Sequence, residues 1–184
     1  MAGQSDKVFE FQLNLEFHAF YNSVRKQHPA HTVDTLSQRI LTLDPGETTG
    51  VTEYRDNLVT VYQWDTTSLG PSFNLLNEKL SRVQSFEKSR KFDMVRMEDY
   101  RIYEWKVDDH SWSPVHTLRL IGAFEAACHV QHTPHSYMLA QQAKKFWSDV
   151  KLDHFGMNPK GLRHGRDALR HLLYYILFPN SGKK

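Results

Sequence analysis

The sequence predicts an α/β fold: a mixed five-stranded sheet flanked by helices and preceded by an N-terminal appendage. Three strand-like apolar runs, residues 39–43, 50–54 and 58–64, lie close enough along the chain to form a meander. Helical and strand-like patterns then alternate up to residue 178. A meander followed by such alternation is typical of a mixed sheet with helices on its faces.

The length of the chain limits it to one main domain. Its 184 residues suffice for one full core and an appendage, and are too few for two ordinary domains. We divide the chain into an N-terminal appendage, residues 1–38, and a main domain, residues 39–184. The formal net charge of +2 is nearly neutral, so composition alone does not predict a polyanionic partner.

The cellular location is predicted from cysteine usage and hydropathy. The single cysteine, Cys128, excludes an intramolecular disulfide and suits a reducing compartment; its apolar surroundings predict a buried thiol. No basic segment followed by an apolar one stands at the N-terminus, and the longest apolar run, Leu172–Phe178, is far shorter than the roughly 20 residues of a membrane span. We therefore expect a cytoplasmic protein that does not bind membranes.

The apolar residues of the appendage fit two secondary structures. A one-sided strand would use Phe9, Phe11, Leu13, Leu15, Phe17 and Ala19, and one face of a helix would use Phe9, Leu13, Phe17, Phe20 and Val24. Either form leaves an apolar surface that the main domain or a second subunit must cover. The sequence leaves both questions open.

The main domain begins with the buried strand 39–43, which Pro45 and Gly46 end with a turn. The next two strands join at Asp56-Asn57, a hairpin sequence. A right-handed crossover should then place the fourth strand beside the first and parallel to it. The later predicted elements are a helix over 73–91, strand 94–97, a helix from Pro114 through Cys128, strand 135–139, helix 141–150, a loop over 153–161 and helix 162–178.

Three acidic residues mark the ends of these elements. Asp44 follows the first strand, Glu98 follows the fourth, and Asp167 lies near the start of the last helix. The carboxyl ends of neighbouring parallel strands meet at one edge of a sheet, so Asp44 and Glu98 should approach each other. Carboxylates that converge in this way can hold divalent cations for phosphodiester hydrolysis.

The last helix adds a histidine to this set. His164 lies three residues before Asp167, on the same helix face, where it can bind a metal, move a proton or hold water. In a two-ion site Asp44 would be shared, with Glu98 on one ion and Asp167 on the other. The ions would be Mg²⁺ or Mn²⁺, and the imidazole favours Mn²⁺. Each residue also has a structural interpretation, since Asp-Pro-Gly is a common turn and an acid early in a helix is favoured by the helix dipole.

Three motifs in this order resemble the RuvC family of Holliday-junction resolvases, particularly the compact versions carried by bacteriophages. They are Leu43-Asp-Pro-Gly-Glu-Thr-Thr-Gly50, the strand ending at Glu98, and His164-x-x-Asp167-Ala168. The resemblance covers about residues 39–178. It implies an RNase H-like fold, a homodimer, magnesium or manganese, and paired nicks in four-way DNA junctions. Asp44, Glu98 and Asp167 match the metal-binding acids, and His164 stands where members carry Asp or His.

Basic residues in the second half of the chain are candidate DNA contacts. Lys144 and Lys145 precede the last helix, Arg163 and Arg166 begin it, and Arg119 lies in a helix that resembles the one after the second acid of the family. An ordinary solvated helix face explains the same cluster. The aromatic segment 100–112 would either stack on unpaired bases at a junction or form a small satellite core.

The sequence thus predicts a metal-dependent endodeoxyribonuclease that resolves four-way junctions or other branched DNA during recombination. A phage-encoded protein of this kind would act in the host cytoplasm. One alternative is a broader RNase H-like nuclease that cuts flaps, duplex DNA or RNA-containing strands, since the same acids serve all of these reactions. Another is an inactive DNA-binding or assembly protein of the same fold.

Overall fold

The computed structural model describes residues 7–29, 33–81, 92–100 and 112–181, without the side chains of 112–114. These residues form one six-stranded sheet with the order β1-β4-β3-β2-β5-β6. The strands are β1 Phe9–Gln12, β2 Ile40–Asp44, β3 Thr48–Arg55, β4 Leu58–Asp65, β5 Met94–Asp99 and β6 His135–Leu139. The helices are α1 Leu15–Gln27, α2 Leu69–Leu80, α3 Trp112–Val130, α4 Ala140–Phe146, α5 Asp149–His154 and α6 Arg163–Leu177, with a 3-10 turn at Thr35–Ser37.

The predicted meander and parallel crossover are confirmed. β2, β3 and β4 pair antiparallel in sequence order, while β5 lies parallel to β2, and β6 parallel to β5. The β3–β4 hairpin turns at Asp56 and Asn57, whose φ angles of 50° and 68° are those of a two-residue hairpin loop. Leu43 of β2 lies opposite Met97 of β5, so the carboxyl ends of these two strands are level.

The predicted number of strands was wrong, because part of the appendage joins the sheet. Residues Phe9–Gln12 pair antiparallel with β4 and cover an edge that would otherwise expose unpaired backbone groups. The chain then turns at Asn14, whose side-chain oxygen accepts a hydrogen bond of 2.8 Å from the Phe17 backbone N–H and begins α1. The appendage is therefore a strand over Phe9–Gln12 and a helix over Leu15–Gln27, so each of the two predicted patterns applies to a different part of it.

Two helix predictions need correction. The predicted helix 141–150 is divided into α4 and α5 at Trp147, and Ser148 begins the second helix by accepting a hydrogen bond from the Lys151 N–H. The predicted loop 153–161 therefore begins only after His154. α2 ends at Leu80, because Ser81 has an extended backbone, and residues 82–91 of the predicted helix 73–91 lie outside the described residues. The aromatic segment 100–112 also lies outside them, except at its two ends.

The sheet separates two hydrophobic cores. On one face α6 packs over the centre of the sheet together with α1, α4 and α5, and on the other face α2 and α3 pack together. The Thr42 hydroxyl of β2 donates a 2.8 Å hydrogen bond to the Ala168 carbonyl and so fixes α6 to the sheet. Cys128 of α3 is fully buried, as predicted, and burial raises the pKa of its thiol to about 12. Within the described part of the chain, no helix combines the length and apolar character that crossing a membrane requires.

Candidate active site

Asp44 and Glu98 lie side by side at the carboxyl edge of the sheet. Asp44 is the last residue of β2, and Glu98 lies near the end of β5, the parallel neighbour of β2. Both side chains project toward α6, since they alternate with Leu43 and Met97, which enter the opposite core. The two carboxyl groups influence each other, because each contributes to the pKa shift of the other.

The first turn of α6 brings His164 to the same place. Its Nδ1 lies 3.0 Å from Oδ2 of Asp44. Gln63 of β4 holds this end of the helix, because its Oε1 accepts hydrogen bonds from the backbone N–H groups of His164, at 3.0 Å, and Gly165, at 3.4 Å. These donors have no partner within the helix, so a side chain of the sheet replaces the missing N-terminal cap.

Lys144 of α4 connects the remaining acid to the site. Its ammonium lies 3.2 Å from Oδ2 of Asp167 and 3.7 Å from Oε2 of Glu98. The four residues predicted from the sequence, Asp44, Glu98, His164 and Asp167, are therefore brought together by direct contacts and through this lysine. Their catalytic and metal-binding roles remain predictions.

The electrostatics of the site separate its two strand-end acids. Burial raises the pKa of Asp44 to about 6, with Glu98 adding repulsion, although the hydrogen bond from His164 acts in the opposite direction. Burial would also raise the pKa of Glu98, but His171 and Lys144 together hold it well below its usual value. The hydrogen bond to Asp44 raises the pKa of His164. Without a cation, Glu98 is thus the carboxyl group that ionises first as the pH rises, and Asp44 loses its proton only around pH 6.

His171 was missed by the sequence analysis. It is fully buried in α6, and its Nε2 lies 2.8 Å from Oε2 of Glu98. The signal was present, because His164, Asp167 and His171 follow the i, i+3, i+7 spacing of one helix face. A histidine in an apolar helix is usually a packing residue. Only its contact with Glu98 shows that His171 belongs to the acidic site.

Arg170 was also missed, and it fixes Asp167. Its guanidinium forms ion pairs with Asp167 and with Asp149 of α5, and its Nε donates a 2.8 Å hydrogen bond to the Trp147 carbonyl. Arg166 adds a contact of 3.4 Å to the same Asp149. This network attaches the break between α4 and α5 to α6, beside the acidic site.

The predicted DNA contacts occupy different surroundings. Lys145 and Arg163 are exposed on the α6 side, and Arg163 directly precedes His164. Lys144 and Arg166 are engaged with carboxylates, as described above. Arg119 is exposed on α3, which packs on the opposite face of the sheet. The contact of these residues with DNA remains a prediction.

Replacing His171 by alanine is expected to destabilise the protein by about 2–4 kcal/mol, because it opens a cavity and removes the partner of a buried carboxylate. Urea unfolding would measure this loss. His154→Ala is the matched control, since His154 pairs with Glu16 at an exposed position and its removal should change stability by no more than about 0.5 kcal/mol. Equal stability of the two variants would contradict a supporting role for His171.

Solved structures with the same fold include two of RuvC from Thermus thermophilus. One, in complex with Holliday-junction substrate, has a TM-score of 0.55 and 14% sequence identity, and the other has a TM-score of 0.54 and 17% identity. Each match covers 79% of this chain and 98% of the other. No family model matches the chain, and no curated protein sequence matches it. The predicted RNase H-like fold is thereby confirmed.

Proposed function

We propose that this chain is a divalent-metal-dependent endonuclease that cuts branched DNA, with the four-way junction as its preferred substrate. The observation that carries the proposal is the meeting of Asp44, Glu98, His164 and Asp167 at one edge of the sheet, in a fold shared with RuvC. These residues come from three distant segments of the chain. The Thermus thermophilus structure with bound junction substrate supports branched DNA as the ligand class.

The donor set fits two divalent cations such as Mg²⁺ or Mn²⁺. It consists of three carboxylates and one imidazole, and a bound cation would offset the cost of ionising the buried Asp44, whose pKa is raised by burial. Asp44 would be shared between the ions, with Glu98 and Asp167 each holding one of them. When bound, such ions lower the pKa of a water molecule and stabilise the leaving oxygen of a phosphodiester.

His164 has a second role besides metal binding, and the basic side chains around the site orient the carboxylates and balance their charge. His164 is partly exposed and hydrogen-bonded to Asp44, so it can hold an attacking water or accept its proton. Lys144 keeps Glu98 and Asp167 together and is exposed enough to contact a phosphate. His171 and Arg170 fix Glu98 and Asp167 from the interior, which preserves the geometry of the ligands.

We further propose that the active form is a homodimer. Resolution of a four-way junction needs two symmetric cuts, and the described residues form a single acidic cluster of this kind at the sheet edge. Two copies related by a two-fold axis would supply both cuts.

The apolar surface predicted for the appendage is in part covered within the chain, since Phe17 is fully buried against Trp147.

A side-by-side cleavage assay tests the substrate. A synthetic four-way junction, a flap, a linear duplex and an RNA–DNA hybrid would be incubated with Mg²⁺, with Mn²⁺ or with EDTA. We expect paired nicks in the junction at a rate at least about tenfold above the other substrates, and no cleavage in EDTA. Preference for the flap, the duplex or the hybrid would instead favour the broader nuclease, and binding without cleavage would favour an inactive DNA-binding protein.

Junction affinity should fall as salt rises, because lysine and arginine contacts to phosphates release counterions. The slope of log K against log salt is negative, and each phosphate contact that is lost makes it less steep by about 0.9. Lys145→Ala should therefore lower the slope without abolishing cleavage. An unchanged slope would exclude Lys145 from the interface.

A further inference from the structure

We propose a second metal site, specific for Zn²⁺ or a similar transition metal, formed by Glu125, His129 and His135. One ligand atom from each of these side chains lies within 4.8 Å of the others. The site lies on the sheet face covered by α2 and α3, away from the acids that face α6. The inference is independent of the proposed nuclease function, because it uses none of the acidic-site residues.

The fold brings the three ligands together from one helix end and one strand start. Glu125 and His129 are four residues apart on α3 and so project from the same helix face. His135 is the first residue of β6. The intervening turn is short and fixed, since the backbone N–H of Thr133 donates a 2.9 Å hydrogen bond to the Cys128 carbonyl.

The distances suit a metal after a small adjustment. Oε1 of Glu125 lies 3.9 Å from Nε2 of His129 and 3.8 Å from Nε2 of His135, and the two imidazole centroids are 5.1 Å apart. Ligands of tetrahedral zinc are about 3.3 Å from one another, given metal–ligand bonds of about 2.0–2.2 Å. Closing to this spacing takes about half an ångström for each Glu125–histidine pair and up to about 1.5 Å for the two imidazole nitrogens, which lie within 4.8 Å of each other. The His129 side chain, 71% exposed, can supply this movement.

The donor chemistry selects the class of metal. Two imidazole nitrogens and one carboxylate oxygen suit zinc and its neighbours, whereas Mg²⁺ prefers oxygen ligands. Three protein ligands leave a fourth position for water.

Zinc binding would connect the end of α3 to the start of β6. β6 pairs with β5, the strand that carries Glu98, so the metal would stabilise the sheet edge on that side. Because the site is assembled only in the folded chain, the metal should raise the melting temperature.

The test is titration of the untagged, EDTA-dialysed protein with Zn²⁺, and with Co²⁺ to follow its visible absorbance. To keep the acidic site from contributing, the titration uses the Asp44→Asn background. We expect one equivalent of bound metal and the intense visible bands of low-coordinate cobalt. Adding His129→Ala or Glu125→Gln should weaken binding at least tenfold, because each variant removes one metal ligand.

The matched control is His132→Asn. His132 lies in the same turn, is exposed, and has a φ of 50°, a conformation that asparagine tolerates well. This variant should bind one equivalent with unchanged affinity. The proposal is overturned if the Asp44→Asn protein binds no zinc, or if His129→Ala and Glu125→Gln bind it as tightly as the control. Melting temperatures in EDTA would verify that all variants are folded.

Discussion

Asp44→Asn is expected to reduce DNA cleavage at least about a thousandfold while junction binding survives. In the proposed mechanism Asp44 would be shared between two ions, so several kcal/mol of charge stabilisation in the transition state would depend on it, and about 4 kcal/mol corresponds to a thousandfold in rate. Asparagine has the same shape and can still accept the hydrogen bond from His164. Single-turnover cleavage in Mg²⁺ and a binding titration in Ca²⁺ would separate the two effects.

The same substitution should stabilise the metal-free protein at high pH. The pKa of Asp44 is raised from 3.8 to about 6, so its ionisation in the folded state opposes folding. This penalty is absent below about pH 4, grows between pH 4 and pH 6, and is complete above pH 6, where it reaches at most about 3 kcal/mol. Asparagine resembles the protonated acid and can donate a hydrogen bond to Glu98. We therefore expect a gain of about 1–3 kcal/mol at pH 8 that shrinks as the pH falls.

Asp167→Asn provides the comparison. It should abolish cleavage in the same way, but it should not stabilise the protein, because Asp167 is paired with Arg170 and Lys144. Unchanged cutting by both variants would remove the proposed mechanism. A loss of stability at pH 8 in Asp44→Asn would contradict the interpretation of the acidic cluster, even if cleavage were lost.

Gly50→Ala is expected to damage both stability and activity, because α6 begins directly over this residue. A Cβ at Gly50 would lie 1.9 Å from the carbonyl oxygen and 2.1 Å from the carbonyl carbon of His164. These are backbone atoms, so the whole first turn of α6 must move, and His164 and Asp167 move with it. We expect a loss of about 3 kcal/mol in the free energy of unfolding. Displacement of catalytic groups by about 1 Å should reduce cleavage about a hundredfold.

Gly46→Ala is the matched control for this prediction. Gly46 lies in the same Asp-Pro-Gly-Glu-Thr-Thr-Gly motif and does not have a positive φ. A Cβ there would meet nothing closer than the Thr48 carbonyl oxygen, at 3.4 Å. Its stability and activity should remain near those of the wild type. Denaturant unfolding and junction cleavage would measure both variants, and equal behaviour would show that the close approach of α6 to β3 is not required.

Much of the candidate site could be predicted because its signals are local. Asp44 ends an apolar strand before a Pro-Gly turn, and Glu98 ends another. A right-handed crossover can place these strands side by side and parallel, and their carboxyl ends then meet at one edge of the sheet. The last helix has a clear period, which places His164 and Asp167 on one face. None of these inferences needs the position of a side chain outside its own element.

The contacts between elements were not predictable in this way. The pairing of Phe9–Gln12 with β4 depends on an edge strand about 50 residues later, and a four-residue strand carries no mark of its partner. The break at Trp147 follows from the burial of its ring and the hydrogen bond from Arg170 to its carbonyl. The role of His171 depends on Glu98, and the cluster around Glu125 depends on the distance between a helix end and a strand start.

The sequence by itself determined the order of the first four main-domain strands, the parallel crossover and the identity of the four converging residues. It did so because periodicity, turn residues and chain handedness act over short stretches and constrain topology strongly. Only the tertiary structure decided which strand completes the sheet, which acid ionises first and which side chains support the ligands. Those properties depend on burial and on distances between atoms far apart in the chain, and these exist only once the two faces of the sheet have been packed.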